Sequence, residues 1–283
     1  MAIRQITIIG TGLIGGSIAL ALKARGFHGR MVGCDRASVL ERARNKGAID
    51  SGETNPVHAV RNSQVVLLAT PVGAIIDLIE MVGPTMSRQA LLTDVGSTKA
   101  QIIDRAHLVF GRTTAKRFLA GHPMAGKEHG GVEFADPNLF EGAAWLVTPL
   151  PGQNIDEGLS GEFLNWVEKM GANIATLAPD KHDLLCAWVS HLPQMISTAL
   201  AAALVDEFGP SAPVLPAGGR ALREMTRISA SPYSMWRDIA ITNKKNIQDA
   251  LIKLEQRLAH IRENLDTREL AREFERAHEM KRR

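Results

Sequence analysis

The sequence predicts an α/β chain: an N-terminal Rossmann-type, doubly wound parallel sheet followed by an all-helical C-terminal domain. Three observations carry that expectation. A first apolar run, Ile6 to Ile9, leads straight into Gly10-Thr11-Gly12-Leu13-Ile14-Gly15. Strand and helix patterns then alternate as far as residue 178, as they do when parallel strands are joined by crossover helices. From Pro179 onward the periodicity is helical. The expected division falls between residues 1–178 and 179–283.

The first strand is read from Ala2 and the first helix from Leu13 to Arg25, stopped by Gly26. Between them the glycines have separable tasks. Gly10 allows the tight turn, Gly12 lets a phosphate approach the backbone, and Gly15 lets helix and strand pack closely. The amides of Leu13 and Ile14 then stand at a helix N-terminus, which favours an anion. These residues predict a dinucleotide site. Arg30 to Cys34 reads as the second strand, and Asp35 closes it. A carboxylate there accepts from a ribose 2′-hydroxyl and repels a 2′-phosphate, so it selects NAD, whereas Arg36 beside it leaves NADP possible. Asp35 can equally cap the next helix, Ala37 to Lys46.

Gln64 to Ala69 is continuously apolar, as in a strand buried on both faces. Thr70 and Pro71 end it and should border the cofactor, ahead of a helix from Val72 to Met81. Ala90 to Thr93 is the next strand. Asp94-Val95-Gly96 follows it, and Ser97 is placed to cap a helix running through His107. Arg117 to Ala120 is strand-like and ends at Gly121-His122. Ala143 to Val147 and Asn173 to Leu177 are the last strands, separated by a helix from Leu159 to Met170 that Gly171 stops.

In the C-terminal part, Pro179 suits a first helical position and Asp180 a first turn. A helix from Lys181 to about Val205 should kink at Pro193. A loop over Gly209 to Gly219 follows, then helices over 242–264 and 267–280, with Asp266 and Glu269 at capping-box spacing. Leu184, Leu185, Val189, Ile196, Leu200 and Leu204 make the first of these helices apolar on more than one face. Such a helix needs a partner surface, and a homodimer is expected. The stretch Leu184 to Leu204 is interrupted by His191, Pro193 and Gln194, so no membrane span is expected.

Composition narrows the class. Hydrophobic residues make up 45% of 283 and charged residues 22%, which fits a globular chain with an ample core. A formal charge of +3 is too small to suggest nucleic-acid binding, despite a sequence pI near 9.0. Cys34 and Cys186 form no CxxC pair, so neither a disulfide framework nor a zinc site is expected, and no metal. Both read as small buried hydrophobes in a reducing compartment. With a strand read from residue 2, no signal peptide is expected and the location is cytoplasmic.

Ligands of doubly wound sheets bind beyond the carboxyl ends of the strands. His122 follows a strand end directly, in the glycine-flanked loop Gly121-His122-Pro123-Met124-Ala125-Gly126. An imidazole titrating near 6.5 suits the removal of a hydroxyl proton as hydride leaves the same carbon. A loop histidine bonded to backbone is the alternative. Ser97 is either a helix cap or a ligand to substrate.

On GTGLIGGS at the start, DVGSTK at 94–99, GHPMAGKEHGG at 121–131, SHLP at 190–193 and GGRALREMTRISASPYSMWRDI at 218–239, the chain resembles the TyrA family of prephenate, arogenate and cyclohexadienyl dehydrogenases. The resemblance implies oxidative decarboxylation of a cyclohexadiene acid with NAD. It gives His122 the bond to the C4 hydroxyl and Ser97 a contact to the same group. It makes Arg227 the partner of a substrate carboxylate, the task a planar guanidinium suits. His191 borders the substrate in the family, although residue by residue it reads as a core histidine. Trp236 lines the pocket or the core, and Arg237 with Asp238 suggests a structural ion pair. The turn Ser231-Pro232-Tyr233-Ser234 departs from the family's Asp-Pro type. No chorismate mutase or regulatory extension is expected. A β-hydroxyacid dehydrogenase would need a lysine and an asparagine four residues apart on one helix, and only Lys169 and Asn173 have that spacing, with Gly171 between them.

Overall fold

A computed structural model describes residues 3–127, 129–209 and 214–280. The expected strand start at Ala2, the loop residue Glu128 and the basic tail 281–283 lie outside them. Strands β1 (Gln5–Ile9), β2 (Arg30–Cys34), β3 (Ser51–Glu53), β4 (Val65–Leu68), β5 (Leu91–Asp94) and β6 (Phe118–Leu119) form one sheet in the order β3-β2-β1-β4-β5-β6. Every pairing in it is parallel. Helices α1 (Leu13–Ala24), α2 (Ala37–Asn45), α3 (Pro56–Ala59), α4 (Val72–Val82), α5 (Ala100–Phe110) and α6 (Thr114–Arg117) connect the strands. In β4, Val65 and Leu67 enter one apolar core and Val66 and Leu68 the other. That is why its sequence lacks alternation. The chain order reverses between β1 and β4, the switch point at which such sheets bind ligands.

The strand read over Arg117 to Ala120 does not run on within this sheet. At Ala120 the chain leaves it, and β7 (Gly121–Pro123) pairs antiparallel with β8 (Ala144–Val147), which pairs parallel with β9 (Asn173–Thr176). The cause is local: the Gly121 carbonyl accepts from Lys99 Nζ at 2.7 Å and its amide faces Asp94 Oδ1 at 3.4 Å. Side chains occupy the groups that a ladder with β5 would use. Helix α7 (Gly158–Lys169) links β8 to β9. It ends at Lys169, Gly171 takes φ +92°, and Asn173 opens β9, so Lys169 and Asn173 share no helix face.

Among the described residues all regular structure after β9 is helical: α8 (Pro179–Cys186), a π-turn over Ala187–His191, α9 (Leu192–Phe208), α10 (Val214–Thr226), a 3-10 turn over Arg227–Ala230, α11 (Tyr233–Thr242), α12 (Lys244–Glu263) and α13 (Arg268–Glu279). In place of a kink at Pro193, a π-turn over Ala187–His191 leads directly into α9, and Pro193 sits in the first turn of α9, where its missing N–H is tolerated. The loop expected over Gly209 to Gly219 instead turns helical at Val214 and breaks at Gly219, where φ is +60°. The last helix is capped by Thr267, whose hydroxyl accepts from Glu269 N, and not by Asp266.

The run Pro179–Phe208 is long and apolar enough, by length and composition, to cross a membrane. It nevertheless buries His182, Asp183, His191, Gln194 and Ser197 against protein. Leu184, Leu185, Trp188, Val189, Val205 and Phe208 along it are exposed in the single chain.

Two carboxylates from the helical part cap helices of the sheet part. Asp183 accepts from the amides of Lys99 and Ala100 at 2.7 and 3.0 Å, at the start of α5. Asp238 accepts from Gly73 N at 3.0 Å, at the start of α4.

Candidate active site

The glycine turn after β1 is built by close approach. Gly10 has φ +92°, and a Cβ on it would stand 2.4 Å from the Ala69 carbonyl oxygen. At Gly15 a Cβ would stand 2.0 Å from the Gly10 carbonyl oxygen. At Gly12 it would meet nothing within 4 Å. Gly12 is also the N-cap of α1, no side chain caps the first turn, and Leu13 and Ile14 line the adjoining cleft. That is a cradle for an anion. Asp35 lies beside it, accepting from Thr11 N at 2.9 Å and from Arg36 N at 2.7 Å. It does not cap α2, whose N-cap is Arg36 with no side-chain bond.

A cleft opens along this edge of the sheet. Leu13, Ile14, Thr70, Pro71 and Ser97 line it from one side, and Ser231, Pro232, Met235 and Ile239 from the other. Lys127, His129, Gly130 and Gly131 also reach it, so these described residues of the GKEHGG segment border the cleft. Lys127 is paired with Asp136 at 2.9 Å. The expected cap at Ser97 is not made: α5 starts at Ala100, and Asp183 takes the amides. The serine hydroxyl is left to the cleft.

A buried polar chain is built around His122, which is not among the residues lining the cleft. His122 Nδ1 lies 2.9 Å from His182 Nε2, and His182 Nδ1 lies 2.9 Å from Asp183 Oδ1. Lys99 is fully buried, paired with Asp94 and bonded to the Gly121 carbonyl, which pins the backbone next to His122. His122 keeps 7% of its surface exposed while His182 and His191 keep none, so of the three rings only His122 opens outward. Burial first, then the nearby His182, Lys99 and His191, hold the His122 imidazole well below its ordinary 6.5. Burial also lowers His182, although the Asp183 bond opposes it. Burial would raise Asp183, but the His182 bond and the Ala100 and Lys99 amides outweigh that and keep it a carboxylate.

Cys186 Sγ lies 3.6 Å from His182 Nε2 and 3.8 Å from His122 Nδ1. Burial pushes its thiol up to about 12, so it is a neutral neighbour of the pair and more than a filler of the core. The three residues have soft-metal donors within 4.8 Å of one another, but the 2.9 Å between the nitrogens is a hydrogen-bond length.

His191 is wholly buried and in contact with Asn243, whose amide also donates to the Asp183 carbonyl at 2.7 Å. The second amide hydrogen meets His191 Nδ1 at 3.2 Å, which puts the imidazole proton on Nε2. That N–H and the Trp236 indole N–H are buried and without a partner among the described residues. The two rings meet edge to face at 5.9 Å. Two orphaned donors side by side fit an oxygen-bearing ligand. Arg237 pairs with Asp238 at 2.9 Å within the fold. Arg227 is exposed in the 3-10 turn, four residues before Ser231, and is not among the residues lining the cleft of the single chain.

Asp94, Lys99, His182, Asp183 and Asn243 were not assigned site roles from sequence. The first two flank the glycine of DVGSTK, which is a usable signal. His182 and Asp183 come from α8 and Asn243 from the turn between α11 and α12, with no local motif.

The family described as "Prephenate dehydrogenase, nucleotide-binding domain" matches residues 18–176, and "Prephenate dehydrogenase, dimerization domain" matches residues 178–279. The chain belongs to the prephenate dehydrogenase family. A prephenate dehydrogenase of Bacillus subtilis is 36% identical over 252 residues, which are 86% of this chain and 65% of the relative. This chain therefore spans just under two thirds of that relative's length. A prephenate dehydrogenase of Lactococcus lactis is 32% identical, over 90% of this chain and 72% of its own. The crystal structure of prephenate dehydrogenase from A. aeolicus, in complex with hydroxyphenyl propionate and NAD+, has a TM-score of 0.86 at 31% identity. It covers 99% of this chain and 97% of its own. Synechocystis arogenate dehydrogenase has a TM-score of 0.77 at 27% identity, covering 98% of each chain. The prephenate dehydrogenase fold is thus present over both parts of the chain.

Proposed function

We propose that this protein oxidatively decarboxylates prephenate, arogenate or both, giving 4-hydroxyphenylpyruvate or tyrosine, with NAD as the hydride acceptor. The observation that carries the reading, beside the family, is His122: an imidazole held neutral by burial, bonded through Nδ1 to His182 and keeping 7% of its surface exposed. The open cradle at Gly12, the α1 amides of Leu13 and Ile14, and Asp35 beside the turn fit a dinucleotide, with Gly10 and Gly15 fixing the loop and Thr70 and Pro71 the adjoining wall. When bound, NAD takes the hydride from C4. His122 accepts the C4 hydroxyl proton, and Ser97, released from capping, holds the same hydroxyl. Loss of CO2 from C1 leaves an aromatic ring, so the protein's work is mostly orientation.

The buried N–H groups of His191 and Trp236 are suited to a substrate oxygen. Arg227 is assigned a substrate carboxylate on the family motif MTRI. The two acidic residues of the 218–239 motif, which could read arogenate's ammonium, are both paired: Glu224 with Arg220 and Asp238 with Arg237. The working division is a nucleotide domain over 1–178 and a helical domain over 179–283 that binds substrate and forms a homodimer in the cytoplasm. Support for the dimer comes from the exposed apolar side chains of 184–208 and the matched dimerisation family.

The test is steady-state turnover of NAD or NADP with each acid, following reduced nicotinamide and CO2. Reduction with either acid is expected, faster with NAD. Folded, NAD-binding protein that reduces none of the four pairs would overturn the reading.

A further inference from the structure

We propose that His182, oriented by Asp183, is a positioning residue that keeps the proton of His122 on Nδ1 and so keeps a lone pair on Nε2 for the substrate. The inference rests on the proposed role of His122 and deepens it. It follows from counting donors along the chain. Asp183 Oδ1 already accepts from Lys99 N at 2.7 Å and its Oδ2 from Ala100 N at 3.0 Å, so the carboxylate is oriented by the backbone and can only accept from His182. His182 Nδ1, 2.9 Å away, must then carry the proton. In a neutral ring that leaves Nε2 as an acceptor. The one donor that can fill it at 2.9 Å is His122 Nδ1–H. A neutral His122 protonated on Nδ1 has its lone pair on Nε2, as a base needs.

The other groups facing this chain do not upset the count. Cys186 is a neutral thiol at 3.6–3.8 Å from the two ring nitrogens. Lys99 spends its ammonium on Asp94 and the Gly121 carbonyl. His191 is engaged by Asn243. The arrangement has the logic of a carboxylate that fixes a catalytic imidazole's tautomer, extended by one ring. The middle ring inverts nothing: each imidazole accepts on one nitrogen and donates on the other, so the direction set at Asp183 reaches His122.

The decisive measurement is 15N NMR of ring-labelled histidine in the full-length protein, with His122 assigned by comparison with His122→Gln. The expected spectrum has the His122 proton on Nδ1. A proton on Nε2 would overturn the proposal, and this reading needs no activity. Two variants add a kinetic arm. In His182→Gln the amide oxygen can still accept from His122 Nδ1, so kcat should stay within about tenfold. In His182→Leu nothing accepts, and kcat should fall about 100-fold while the Kd for NAD stays within twofold. Equal losses in both variants would mark His182 as packing only and overturn the positioning role. Absent turnover in the unaltered protein would instead count against the proposed function, leaving the NMR result to decide the tautomer.

Discussion

Acid should unfold this protein through its buried histidines. His191 is the clearest case, because burial carries it down to about 4 while an unfolded histidine titrates at 6.5. A depressed imidazole is neutral in the folded state, so the unfolded chain binds the extra proton and stability rises with pH between those two values. At about 1.4 kcal/mol per pH unit the gap is worth about 3.4 kcal/mol in full, of which about 2 kcal/mol is lost between pH 7 and pH 5. His122 and His182 are lowered in the same direction and add to the slope. Asp183 also destabilises on protonation, but only below the ordinary carboxylate range, so pH 5 to 7 reads the histidines. The assay is urea denaturation at both pH values, at fixed protein concentration because association would move the midpoint. The His191→Gln variant should lose about 2 kcal/mol of the pH dependence while keeping a bond to Asn243. Equal midpoints at pH 5 and 7, or an unchanged slope in the variant, would refute the reasoning.

The catalytic acid limb should lie below 6.5, since His122 is held neutral; a kcat/KM profile that collapses already between pH 7 and 8 would contradict this. Ser97→Ala should lower kcat by roughly tenfold or more. It should move stability by less than the ~1 kcal/mol a lost helix cap costs, because Asp183 makes the cap; thermal melts beside kinetics check both. Gly12→Ala should weaken NAD binding with little loss of stability, since its Cβ points into empty space. Gly10→Ala should destabilise the fold itself, its Cβ meeting the Ala69 carbonyl, and paired titrations and melts will separate the two.

What was legible in the sequence was what local backbone chemistry demands. The glycine turn, the continuously apolar β4 and the stop at Gly26 each follow from a few adjacent residues, and each stands where expected. Legibility failed where a distant side chain replaced a local one. Ser before a helix is ordinarily a cap, yet Asp183, more than eighty residues on, took that place and moved the helix start to Ala100. Of the strand expected over 117–120 only Phe118 and Leu119 pair in the sheet: Arg117 closes α6, and beyond Ala120 Lys99 and Asp94 occupy the Gly121 backbone and the chain turns into a second sheet. The importance of His182 lies in a ring sixty residues earlier, and nothing in PDKHD announces it. The helical part was legible in its periodicity and not in its breaks, since a π-turn and a glycine kink carry no sequence period.

The two caps supplied from the helical part decide where a negative ligand can sit. Among the helices that begin at the carboxyl edge of the sheet, α1, α4 and α5 would each offer a partial positive charge beside the cleft. Asp238 quenches the second and Asp183 the third. The N-terminus of α1 is left without a side-chain cap. An approaching pyrophosphate therefore meets an attractive helix end at α1 and, on the β4 side of it, two neutralised ones at α4 and α5, which helps set its register along the cleft. The helical part, which never touches the glycine turn through these caps, still writes the address at which the dinucleotide docks.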